Sequence, residues 1–162
     1  MNSTSARGTV TPQLIDFGQW WNCFQNDAEN DVYQLYTFYW NGSGHDVRLK
    51  CGNDSFGYRH IKAFHGGDWQ AKFDQAVAAG WNPESQGLQS RDDLMAAAAG
   101  VNITYPNYVD DVAPNQTRCV VSTVLFVHSD TMQPVVQFNS RTVFAVNNDR
   151  LITSFPQTSS TC

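Results

Sequence analysis

Two histidines five positions apart, His60 and His65, sit in the stretch Phe56-Gly-Tyr-Arg-His-Ile-Lys-Ala-Phe-His-Gly-Gly, interleaved with Arg59 and Lys62. Imidazole titrates near neutrality, so one neutral and one protonated ring can act as base and acid for phosphodiester transesterification without a metal. Arg59 and Lys62 would hold the phosphate and stabilise the charge that develops on its oxygens. Residues five apart on an α-helix differ by about 140° around the axis, so both rings reach one phosphate only where the helix stops, and Gly66-Gly67 is the expected stop. The alternative is an amphipathic helix anchored by Ile61 and Phe64 with a solvated basic face. His45, beside a Gly-rich turn, and His128, at a strand end, read as a loop and a strand-edge residue.

The C-terminal part supplies a second polar cluster. Along 135–146, Gln137, Asn139 and Arg141 lie on one strand face and Val136, Phe138, Phe144 and Val146 on the other. An Arg flanked by Asn and Gln on a concave sheet face suits an anion. The Asn147-Asn148-Asp149 turn returns the last strand antiparallel. If Val143 opposes Thr153, Thr153 shares the face of Arg141; a slip of one residue puts Ser154 there instead. Either hydroxyl can contact phosphate, and an ordinary exposed sheet face is the alternative.

The elements that must position these groups follow from the pattern. Thr11-Pro12 starts a helix over 12–25, in which Leu14, Phe17, Trp21 and Phe24 recur at helical spacing. The aromatic and Thr content of 32–40 favours a strand, followed by an Asn41-Gly-Ser-Gly turn and a strand at 47–51. Ser55 caps a helix over 56–65, Asp68 the next, carrying Trp69, Phe73 and Val77 to Gly80, and Ser90 with Asp93 opens a third that ends at Gly100. Beyond it the stretches 101–105, 118–128, 135–146 and 151–155 read as strands. Such segregation predicts an α+β fold, a helical N-terminal part packed on a C-terminal four-stranded antiparallel sheet. Residues 1–10 read as a flexible end and 11–162 as one domain.

With 162 residues, 15% of them charged and 13% aromatic, the chain can build a core, and no run is long enough to span a membrane. A net charge of −5 excludes a general polyanion binder but not a local basic site. Arg48, Lys50, Arg59 and Lys62 form that local excess, and Arg59, Lys62 and Arg141 are expected to converge. Four cysteines without a CxxC pair read as two disulfides, with three connectivities open. Sequons at Asn2, Asn41, Asn53, Asn102 and Asn115 exceed the roughly two that chance supplies, which with the cysteines indicates a secreted glycoprotein. The stretch MNSTSARGTVTPQ has no apolar core, implying that a signal peptide has been removed and Met1 is an added initiator.

The order of helices carrying Gly-Tyr-Arg-His-Ile-x4-His, a sheet with an Arg strand and a closing Leu-Ile-Thr-Ser-Phe-Pro resembles the barnase, EndoU, colicin and RelE group of metal-independent ribonucleases, nearest the secreted toxin-type members. The resemblance covers about residues 45–156. It implies an RNA site on the exposed sheet face, cleavage by 2'-hydroxyl attack to a 2',3'-cyclic phosphate, no cofactor or metal, and a monomeric cytotoxin or effector with an immunity or host-target protein as partner. His60, His65, Arg141 and Thr153 would be catalytic; Tyr58, Arg59, Lys62, Asn139 and Ser154 would bind substrate. A Cys51–Cys119 bond would then pin helix to sheet, leaving Cys23 with Cys162. A rival from another class is a non-catalytic module that binds RNA, glycan or a host protein through Tyr58, Trp69 and the sheet face. A metal nuclease using His60, His65 and Asp68 is the weaker third reading, because acidic pairs are missing around that set.

Overall fold

The computed structural model describes residues 14–162, so the expected flexible end and the Thr11-Pro12 helix start lie outside the described residues. Helix α1 (Phe17–Phe24) begins later than the spacing suggested because Asp16 and Gln19 form a reciprocal cap, each side chain accepting the other's backbone N–H. Strands β1 (Val32–Trp40) and β2 (Ser43–Lys50) form a hairpin. Its two-residue turn is Asn41-Gly42, both with positive φ, the conformation that suits the right-handed twist of the strands.

Helix α2 (Gly57–Ala78) runs unbroken through Gly66-Gly67, which overturns the expected stop and the two-helix reading. Gly66 serves close approach instead. Its carbonyl accepts from Arg91 Nη1 at 3.1 Å, and a Cβ there would press on the Arg91 guanidinium at 3.3 Å. Ser90 caps helix α3 (Arg91–Thr104) as expected. That helix continues past Gly100 to Thr104, so the expected strand at 101–105 is the last turn of a helix and its cap, with Ile103 fully buried. Gly100 leaves room for the Tyr36 ring, whose hydroxyl donates to the Ala96 carbonyl at 2.7 Å.

Strands β3 (Tyr108–Val109), β4 (Thr117–Val127), β5 (Pro134–Ala145) and β6 (Leu151–Gln157) form an antiparallel sheet in chain order. The fold is α+β. Trp69, Ile61, Met95 and Ile103 of α2 and α3 share one core with Val120, Phe138, Phe144 and Leu151 of the sheet. Within it Asn102 Nδ2 donates to Ser140 Oγ and Thr142 Oγ1, each at 2.8 Å, and Thr142 Oγ1 lies 3.1 Å from Ser154 Oγ. That burial makes the Asn102 sequon a core residue in the folded protein. No helix among the described residues is long and apolar enough to cross a membrane.

The disulfides are Cys23–Cys51 and Cys119–Cys162, which corrects the expected Cys51–Cys119 and Cys23–Cys162. Cys51 follows β2 and meets α1 in the helical core. Cys119 lies on the sheet face turned away from the helices, so a bond to Cys51 would have to cross the sheet.

Candidate functional site

Ile61 and Trp69, both buried, fix α2 against the core, whereas Phe64 is 62% exposed and packs on His60 instead of anchoring the helix. His60 and His65 come together although the helix does not stop: their ring centroids are 6.2 Å apart, nearly edge to face. Side-chain length makes up for the angular separation about the axis. His60 Nδ1 lies 2.8 Å from the Asp54 carbonyl, an acceptor only, so that nitrogen donates. His65 Nδ1 faces the Asp68 carboxylate at 3.2 Å. Each ring is thus oriented through Nδ1, and Nε2 is left as the atom that exchanges protons.

The link to the sheet is Phe155, which sequence reasoning passed over inside the closing motif. His65 stacks on its ring at 4.4 Å, and the Arg141 guanidinium carbon lies 5.4 Å from the same ring centroid. Val143 opposes Thr153, so Thr153 does share the face of Arg141, while Ser154 faces the core, fully buried and bonded to Thr142. Arg141 Nε and Thr153 Oγ1 are buried without hydrogen-bond partners among the described residues, orphaned donors of this face. Arg141 Nη2 donates to the Cys162 main-chain oxygen at 2.6 Å, and Asn139 bonds to Thr123 and to the Thr158 carbonyl.

The expected convergence of cations is only partial. Arg59 pairs with Asp27 at 2.6 Å and lies over Phe24, turned toward α1. Arg48 and Lys50 pair with Asp149, at 2.9 and 3.1 Å. Burial alone would raise the Asp149 carboxyl, but hydrogen bonds from Lys50 and Arg48 and their charges outweigh it and hold the group below its ordinary range. Tyr58 lies in the core and its hydroxyl donates to Asp92 at 2.9 Å, so it offers no ring to a substrate. Burial first, then the Asp92 charge, pushes its phenol well above the usual value. Trp69 is likewise buried, its Nε1–H donating to the Ser154 carbonyl. Lys62 is half-buried on α2 and makes no ion pair among the described residues.

A groove of about 510 Å³ continues from His65 along α2 and the sheet, lined by Asp68, Lys72, Gln137, Asn139, Pro156 and Gln157 among others. Lys72, one helical turn beyond Asp68 with its ammonium 5.3 Å from the Phe138 centroid, supplies the cation that Arg59 does not. Only knowledge that α2 is continuous would have placed it there. Among the described residues no group of three or more His, Cys, Asp or Glu side chains is arranged to hold a metal ion.

No protein-family model and no solved structure matches the chain. Two curated relatives do, the uncharacterized proteins MT0764 and Rv0739 of Mycobacterium tuberculosis, each 30% identical over 113 residues. The match covers 70% of this chain and 37% of each relative, so the chain spans little more than a third of the length of the relatives it matches.

Proposed function

We propose that the protein is a secreted ribonuclease that cleaves RNA by metal-independent transesterification. The observation that carries this reading is the pair of imidazoles 6.2 Å apart, each held through Nδ1 by a separate acceptor. His65 takes the proton of the 2'-hydroxyl at Nε2, and the Asp68 carboxylate at its Nδ1 balances the charge the ring acquires. The 2'-oxygen bonds to phosphorus, the bond to the 5'-oxygen breaks, and His60 gives that oxygen its proton. The products are a 2',3'-cyclic phosphate and a 5'-hydroxyl. Arg141 Nε and Thr153 Oγ1, the orphaned donors, suit the phosphate oxygens, and the groove beside Lys72 suits the adjoining nucleotides.

Secretion draws its support from the two disulfides and from the exposed sequons at Asn41 and Asn115. The deciding experiment incubates total RNA in EDTA with purified protein, both with its disulfides intact and after mild reduction, and maps the ends; the outcome is read from whichever form is the more active. Cyclic phosphate termini are expected. Bound but uncut RNA would replace the enzyme with a binding module, and loss of cutting in EDTA would restore the metal-dependent reading.

A further inference from the structure

The segment 158–162 crosses the outer face of the sheet and occupies the groups that an anion would need. Arg141 Nη2 is spent on the Cys162 oxygen at 2.6 Å, Asn139 Nδ2 on the Thr158 carbonyl at 3.0 Å, and Gln157 Nε2 on the Ser159 and Thr161 carbonyls. Val121, on the same face as Arg141, is only 1% exposed. One covalent tie fastens the segment, the bond from Cys162 to Cys119 on β4. The two disulfides differ in access: Cys23 and Cys51 are fully buried, whereas Cys162 is exposed and Cys119 half-buried.

We infer that residues 158–162 form a redox-released strap that keeps the Arg141 anion site closed while Cys119–Cys162 is intact and opens it when that bond alone is reduced. The inference rests on the reading of Arg141 as a phosphate ligand. The reductant is a dithiol. Its thiolate attacks Cys162 Sγ, the bond to Cys119 Sγ breaks and Cys119 leaves as thiolate. The second thiol of the reagent then displaces Cys162, so two electrons pass to the protein, the reagent becomes a disulfide and both cysteines end as thiols. Once the tie is cut the strap is held to the sheet by exposed bonds from the Arg141, Asn139 and Gln157 side chains to its carbonyls, for which water competes. Arg141 is then free to add a second donor to its unpartnered Nε, and the pair forms the fork that recognises a phosphate.

The test titrates the native protein with limiting dithiothreitol, then alkylates and maps the thiols while circular dichroism follows the fold. Label is expected at Cys119 and Cys162 with Cys23–Cys51 still joined and the spectrum unchanged. Affinity for inorganic phosphate should then rise by about tenfold or more, the worth of one charge-assisted hydrogen bond, and Arg141→Ala should abolish the gain. The double variant Cys119→Ser/Cys162→Ser should bind phosphate as the reduced protein does without reductant, and the titration decides the matter even where that variant does not fold. Simultaneous label at all four cysteines, or unchanged phosphate affinity after selective opening, overturns the strap. Reduced protein that gains phosphate binding yet cuts no RNA removes the ribonuclease and keeps the strap. RNA cut at one rate by both forms removes the strap and keeps the ribonuclease.

Discussion

The imidazole of His65 lies on the ring of Phe155 with centroids 4.4 Å apart and planes 21° from parallel. A residue of the edge strand therefore fixes where a residue of the long helix holds its proton-exchanging atom. Arg141 rests on the same ring, so one aromatic side chain sets the spacing of the imidazole and the guanidinium. Phe155→Ala should lower kcat on RNA by about 10²-fold, the effect of losing alignment by an ångström or so, with less change in KM. Phe155→Tyr, which keeps the ring, should restore the rate. Equal rates for Ala and Tyr would mean that the stacking has no bearing on the chemistry.

Replacing either His60 or His65 by Ala should cut the rate by about 10² to 10⁴ fold, the usual contribution of a positioned proton-transfer group. Both side chains are part-exposed, so urea denaturation should find little change in stability. Asp68→Asn should cost less than His65→Ala, because Asp68 orients the ring and balances its charge without itself exchanging a proton with the substrate. A folded His60→Ala variant that cuts at the parent rate would strike His60 from the mechanism.

Stability should decline at both ends of the pH range for different reasons. Asp149 titrates lower in the folded chain than its ordinary 3.8, so its contribution is present above that value and is lost as pH falls through the folded one. Asp149→Asn should flatten the acid limb of stability against pH, and an unchanged limb would remove Asp149 as its source. Tyr33 is pushed up to about 12 by burial, with the charges of Asp31 and Asp16 adding to it, and burial raises Tyr36 and Tyr58 further. A raised phenol gives stability that is complete below its ordinary 10 and lost as pH rises through the folded value. Phenolate absorbance should therefore show a late group of tyrosines appearing together with unfolding.

The buried polar network predicts a cost without any loss of catalysis. Asn102 Nδ2 holds two strand hydroxyls from inside the core, so Asn102→Ala leaves Ser140 without that donor and Thr142 with Ser154 alone. Chemical denaturation should find about 1–3 kcal/mol lost. Mass spectrometry of the native protein should find Asn102 unglycosylated.

Local chemistry was readable wherever one residue has one use. Ser90 as a cap and Asn41-Gly42 as a hairpin turn follow from backbone rules that need no tertiary partner, whereas the choice of Thr153 over Ser154 for the face of Arg141 rests on a register the sequence left open. Glycine has two uses, and at Gly66 close approach of Arg91 prevailed over a helix end. The disulfides failed for a related reason. Val121 is buried on the outer face of β4, so the strand carries apolar residues on both faces, and the alternation that would have placed Cys119 on the outer face is erased. His65 met Arg141 only through Phe155, a contact that depends on how the helix lies along the sheet edge and has no signature in residue spacing.

The two disulfides also separate in time. A chain emerging from the ribosome presents Cys23 and Cys51, 28 residues apart, well before Cys119 exists, and the hairpin β1–β2 lies between them. Cys119 must then wait 43 residues for Cys162, longer than the first pair needs to close. Oxidation in the order of synthesis would thus remove Cys51 from competition before its wrong partner is made.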